Sequence, residues 1–244
     1  SAGITVTTAH DSKQEAHGHH HRDVSGGWLR PAVFGAMDGL VTNVSLIAGV
    51  GGASVASHFV ILTGLAGLAA GACSMAAGEF VSVSSQNELV GSEIDKEQAE
   101  LEKNPVAEER ELAATFRARG VDPDLALQVA AQISRNPAAA LNVHVREELG
   151  VDPHDLPSPL VAAGASLVTF SVGALIPLLP YLAGANSLAL ALGCAAVAAV
   201  IGGGVVARMT NRPFIRGAAR QLILGAVAAA ITYGIGHAVG TTVT

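Results

Sequence analysis

Two sets of acidic residues stand out by position. Asp38 in FGAMDGLVTN and Glu79 in SMAAGEFVS interrupt stretches otherwise rich in Gly, Ala, Leu and Val. A charge at a bilayer centre costs roughly 2.5–3.5 kcal/mol on insertion scales, so such groups normally face a bundle interior and mark ion or proton pathways. Met75 lies four residues before Glu79, on the same helical face. Alone it reads as packing, but beside two carboxylates its thioether is a soft ligand that prefers a transition metal to Ca²⁺ or Mg²⁺. Asn43 and Ser74 are polar neighbours for such a path, equally well explained by hydrogen bonds between helices. A carboxylate must be deprotonated to bind a divalent cation, so metal and proton compete for it. That competition is the minimal chemistry of a cation/proton antiporter.

The second set lies in a polar stretch. Glu93, Glu97 and Glu100 fall at i, i+4 and i+7, Glu108 and Glu111 repeat an i, i+3 spacing, and HVREELG puts His144, Glu147 and Glu148 within one turn. Converging helices would make these faces an oxygen-rich cage with one imidazole, suited to Fe²⁺, Mn²⁺, Co²⁺ or Zn²⁺. The alternative is a solvated acidic face paired with Lys96, Lys103 and Arg110. A di-iron ferritin-like site needs two Glu-x-x-His pairs, which this sequence lacks, so no oxidase or other enzyme is expected. HGHHHRD adds His17, His19, His20 and His21, a tract that gathers metal or has no fixed geometry; no site is assigned to it.

The elements that must position these groups are read from charge and hydropathy. Of 244 residues, half are hydrophobic and only 14% are charged, and the charges avoid long blocks. Five blocks, 32–53, 58–84, 160–182, 186–207 and 218–240, are long enough for a hydrocarbon core of about 30 Å. The third carries Pro177 and Pro180, tolerated where neighbouring helices re-satisfy the backbone. Gly35/Gly39, Gly67/Gly71 and Gly236/Gly240 have the spacing of close helix contacts, within one subunit or between two. All fourteen Lys and Arg fall in the tail, in the connection between the second and third blocks, or around the connection between the fourth and fifth, where Arg220 sits at the edge of the last helix. With five spans that puts every cation on one face, so the N-terminus is expected in the cytoplasm and the C-terminus across the membrane.

The first thirty residues have no apolar core, so no cleaved signal peptide is expected. Cys73 and Cys194 are expected as small buried residues, not as a disulfide. The net charge of −6 comes with no basic surface that would suggest nucleic acid. The expected organisation is a polar tail over 1–30, spans one and two over 31–85, a Glu-rich cytoplasmic domain over 86–158, and spans three to five over 159–244. Within that domain, Asp122-Pro123 and Asn136-Pro137 are N-cap and N1 pairs, and Gly120 and Gly150 sit where C′ glycines belong. They predict helices over 86–103, 106–119, 123–135 and 137–149, the first continuing the second span.

FGAMDGLVTNVSLIAGVGGA, AGACSMAAGEFVSVSSQ, FSVGALIPLLP and LILGAVAAAITYGIG together resemble the vacuolar iron transporter family over residues 30 to 240. The resemblance implies a homodimer of five-span subunits with the ion path between the two first spans, lined by Asp38 and Met75. It supports a pathway role for Glu79 less directly. It also implies a cytoplasmic metal-binding domain using Glu97, Glu100, Glu108, Glu111 and Glu148. His144 and Val145 stand where plant-like members carry methionines, which opens the site to Mn²⁺, Co²⁺ or Zn²⁺ beside Fe²⁺. The expectation is thus an all-α membrane protein, read as a prokaryotic member in the cytoplasmic membrane (a vacuolar membrane if eukaryotic). It would exchange cytoplasmic Fe²⁺ for protons and hold no prosthetic group. The alternative is a membrane protein that senses or stores metal without transporting it.

Overall fold

The computed structural model describes residues 27–243; the His17–His21 tract lies outside them. Among the described residues the chain is helical, with α1 Leu29–Gly52, α2 Ser57–Lys103, α3 Pro105–Ala118, α4 Pro123–Ser134, α5 Pro137–Glu148, α6 Pro159–Leu175, α7 Leu179–Leu182, α8 Leu188–Met209 and α9 Phe214–Val243. Five segments are long and apolar enough to cross a membrane: Leu29–Gly52, Ser57–Lys103, Pro159–Leu182, Leu188–Met209 and Phe214–Thr241. Their outer faces carry exposed large apolar side chains, Leu62, Val81, Leu160, Val197, Ile201 and Ile223 among them. Such faces suit hydrocarbon as the solvent. Cys73 and Cys194, expected to be buried, are instead exposed free thiols, because they sit on faces of α2 and α8 that no other helix covers among the described residues.

α1 is the hub, packed against α2, α6, α8 and α9. Lipid tails are as apolar as leucine, so helices associate in a bilayer by close packing and not by hydrophobic exclusion. The glycines make the closest contacts. A Cβ on Gly39 would lie 2.2 Å from the Phe170 carbonyl oxygen, and one on Gly173 would lie 2.1 Å from that of Ala36. At the other end of α1, a Cβ on Gly236 of α9 would reach within 1.8 Å of the Gly49 carbonyl oxygen. Gly67 and Gly71 leave room for Leu46 and for the Phe170 ring. All three glycine pairs therefore serve contacts within the chain.

The third span changes its helical form at its prolines. α6 stops at Leu175, a 3₁₀ turn covers Ile176–Leu178, and α7 follows. Pro177 and Pro180 have no N–H, so the ladder cannot continue through them. Just before the break, the Asn43 amide of α1 donates to the Ala174 carbonyl. Leu178 and Pro177 are buried in the bundle there.

α2 has no such break. Its 47 residues run about 70 Å at 1.5 Å per residue, twice what a membrane core needs. The boundary expected at 85/86 thus falls inside one rigid helix. Beyond it, α3, α4 and α5 form a helical unit with a core of Leu112, Ala113 and Ala130, flanked by Phe116, Ile133 and Val143. The expected caps are in place. Asp122 accepts from the Asp124 and Leu125 N–H groups, and Asn136 from those of Ala138 and Ala139. Gly120, at φ +92°, ends α3 in a Schellman turn in which Val121 N–H donates to Phe116 and Gly120 N–H to Arg117.

These close approaches make a direct forecast. Gly39→Ala should destabilise the protein by about 1–3 kcal/mol or more, since its methyl group meets backbone that cannot yield. Gly193→Ala on α8, with nothing within 4 Å, should be neutral or slightly stabilising. Thermal unfolding of the purified proteins in detergent compares the two, and equal melting temperatures would remove the glycine contact as the basis of the α1–α6 packing.

Candidate metal centre

α2, α3 and α5 each present one side chain to a common point. The Glu97, Glu108 and His144 ligand atoms lie within 4.8 Å of one another, and all three residues are buried. His144 Nδ1 is 3.0 Å from Glu97 Oε1, 3.2 Å from Glu148 Oε1 and 4.0 Å from Glu108 Oε2. Three carboxylates thus converge on a single ring nitrogen. That nitrogen carries at most one proton, and its hydrogen bond is to Glu148. Glu97 Oε1 is left buried without a hydrogen bond, as is His144 Nε2. Buried carboxylate oxygens without donors are costly unless a cation serves them. The donor set, one imidazole nitrogen and several carboxylate oxygens, suits a divalent transition metal. A ligating histidine usually anchors its other nitrogen to a second group, and among the described residues His144 Nε2 has none.

Local structure explains the convergence. Glu97 sits near the C-terminal end of α2, and Glu108 lies in the first turn of α3. Asn104 between them caps and turns the chain back, with the Glu108 N–H donating to its carbonyl. His144 reaches the pair from α5, which packs on α2. Glu100 and Glu111, one turn along from Glu97 and Glu108, are exposed. Their charges still act on the buried pair.

The solvated-face alternative holds for Glu93, which pairs with exposed Lys96 at 2.6 Å. It does not describe Glu97 and Glu108, whose ion-pair partner is His144. Glu147 leaves the cluster altogether: it pairs with Arg119, whose Nη1 donates to it over 2.7 Å, tying the end of α3 to α5. That contact was not foreseen, and no local spacing signals it.

Within the spans, the arrangement is sparser. Asp38 is half-buried and accepts a long, 3.5 Å hydrogen bond from Thr42. Met75 packs with Ala72, Phe170 and Ala174. Glu79 is half-buried, and its side chain has no hydrogen bond or ion pair among the described residues. No bond joins Asp38, Met75 and Glu79 there. Asn43 is fully buried, and its contact with Ala174 is the helix-to-helix bond that was the other reading of its polarity.

Burial, then the neighbouring charge of Glu148, pushes the Glu97 carboxyl from its ordinary 4.5 up to about 7, against the pull of His144. Burial and the Glu111 charge likewise raise Glu108. Between 4.5 and about 7 the folded metal-free protein holds a proton on Glu97 that the unfolded chain has released. Raising the pH through that window therefore lowers the stability of the metal-free protein. Glu97→Gln should flatten that dependence. Added Mn²⁺ should reverse its sign, since metal needs the ionised form. Melting temperatures measured from pH 5 to pH 8, with chelator and with Mn²⁺, read both effects.

The VIT family model matches residues 29–237 of this chain. Vacuolar iron transporter 1 of Oryza sativa subsp. japonica is 34% identical over 237 residues, covering 94% of each chain. The vacuolar iron transporter of Acanthamoeba castellanii is 38% identical over 229 residues, 90% of this chain and 82% of that protein. Vacuolar iron transporter homolog 2 of Arabidopsis thaliana is 33% identical over 219 residues, 87% of this chain and 85% of that protein. With five membrane-length helices in place, matches that run through α1 to α9 mean that the chain belongs to the VIT family.

Proposed function

We propose that this protein is a membrane transporter that moves Fe²⁺ out of the cytoplasm in exchange for protons, with Mn²⁺, Co²⁺ or Zn²⁺ as further cargo. The observation that carries the proposal is the buried convergence of Glu97, Glu108 and His144, with Glu148, on the extension of a membrane-length helix. The names of the relatives supply iron as the first cargo.

In this mechanism residues 86–158 form a cytoplasmic collector. Glu97, Glu108, Glu148 and His144 take the ion first, and Glu100 and Glu111 draw it in from solution. The ion then passes to Asp38 and Met75, with Glu79 and Asn43 beside the path. Two copies pair through their first spans, with the N-terminus in the cytoplasm and the C-terminus on the far side. Protons returning from the far side displace the ion, because a carboxylate cannot hold both. The half-buried Asp38 in the first span supports this part.

A sensor or store is the second reading, and one feature favours it: the buried cluster is complete without any residue of α1, α6, α8 or α9. Flux separates the two. Fe²⁺ and Mn²⁺ are supplied outside proteoliposomes that hold a pH dye, for the wild type, Asp38→Asn and Glu97→Ala/Glu100→Ala. The expected result is metal entry with proton exit in the wild type, abolished by Asp38→Asn and weakened by the glutamate pair. Metal binding without entry in the wild type would make the protein a store. Calorimetric titration of His144→Ala should show Fe²⁺ and Zn²⁺ affinity falling more than Mn²⁺ affinity, since imidazole suits the first two and carboxylate the last.

A further inference from the structure

Arg208, Arg212, Arg216 and Arg220 are spaced four apart around the turn that joins α8 to α9. All four are exposed, and none forms an ion pair among the described residues. No acidic residue lies close to them in sequence: after Asp155 the sequence has no Asp or Glu through to its end. The turn between the helices is residues 210–213, too short to lift the charges away from the ends of two membrane-length helices. It is also held in shape. Asn211 adopts a left-handed φ of +54°, Pro213 precedes α9, and the Phe214 ring fills the space over Gly204. Arg216 and Arg220 share one face of α9. Beside them Ile215 is 79% exposed and Met209 42%. An apolar side chain and several guanidinium groups at one membrane-level ridge match the acyl boundary and the phosphate layer of a bilayer.

We propose that this ridge is a binding site for the phosphate headgroups of anionic phospholipids. Guanidinium groups donate paired hydrogen bonds to phosphate oxygens, which an ammonium group cannot match. Clusters of four or more cations beside a membrane helix recognise anionic lipid through this attraction. Ile215 and Met209 enter the acyl boundary and keep the ridge at headgroup depth. The site does not depend on which face of the membrane it occupies, nor on what the protein carries.

The test uses the full chain in detergent, titrated with phosphatidylglycerol or phosphatidylcholine, with melting temperature and lipid retained in native mass spectra as readouts. Phosphatidylglycerol should be retained in preference and should raise the melting temperature, and phosphatidylcholine should do neither. Arg212→Gln/Arg216→Gln should weaken that preference, about fivefold per arginine removed. Arg212→Lys/Arg216→Lys should keep part of it. Inorganic phosphate at millimolar concentration should not reproduce the effect; if it does, the site takes free phosphate and the lipid assignment fails. Equal retention of both lipids, or an undiminished preference in the Gln variant, also overturns it. So does a Gln variant that loses a dimer without losing lipid, since the ridge would then meet an acidic surface of a second copy. Should the Gln variant fail to insert, the salt dependence of wild-type retention decides: preference that survives high salt unchanged refutes an ionic site.

Discussion

The constraint on which the fold depends is the approach of backbone to backbone at α1. In a bilayer no water drives helices together, so contact distance carries the association. Gly35, Gly39 and Gly173 let α1 and α6 touch along their main chains, and Gly49, Gly236 and Gly240 do the same for α1 and α9. With small residues at both crossings, α1 can hold four neighbours at once. Asn43 adds the polar part, reaching a carbonyl beside the proline break of α6. The helix that carries Asp38 is thereby the most constrained of the bundle.

α2 does the opposite work. It leaves the bundle and continues as a single helix to Lys103, so Glu97 is joined rigidly to Met75 and Glu79. The unit of α3, α4 and α5 has its own apolar core, and α5 packs back on α2. Capping residues fix where α4 and α5 begin, Pro105 stands in the first turn of α3, and the core and the Arg119–Glu147 pair fix how the helices meet. The outcome is a buried convergence in which the Glu97, Glu108 and His144 ligand atoms lie within 4.8 Å of one another. Burial first, and then the neighbouring Glu148 charge, raises the Glu97 carboxyl to about 7, so a cation bound there would displace a proton.

Charge distribution is as informative as packing. The chain places its acids before residue 156 and then carries only arginines as charged groups to its end. The acid-bearing and the arginine-only parts of the chain are therefore separate in sequence. The arginine ridge was visible at once as a topology signal. That none of the four arginines forms an ion pair among the described residues is decided only by the folded structure.

Much of this protein was legible from one-dimensional pattern. Span positions follow from hydropathy, and the boundaries of α3 to α5 from Pro, Asp, Asn and Gly at caps, because each depends on residues within a few positions. The candidate metal residues were also legible as types and spacings, since a helix repeats its face every three to four residues. Tertiary structure alone decided which of them share a point. It buried Glu97, Glu108 and His144 together, left Glu100 and Glu111 exposed, and gave Glu147 to Arg119. It also turned Cys73 and Cys194 outward and gave the glycine pairs to contacts inside the chain. The physical reason is the same throughout. Spacing sets the face on which a side chain stands, but what that face meets depends on how distant helices cross, and no local pattern encodes that.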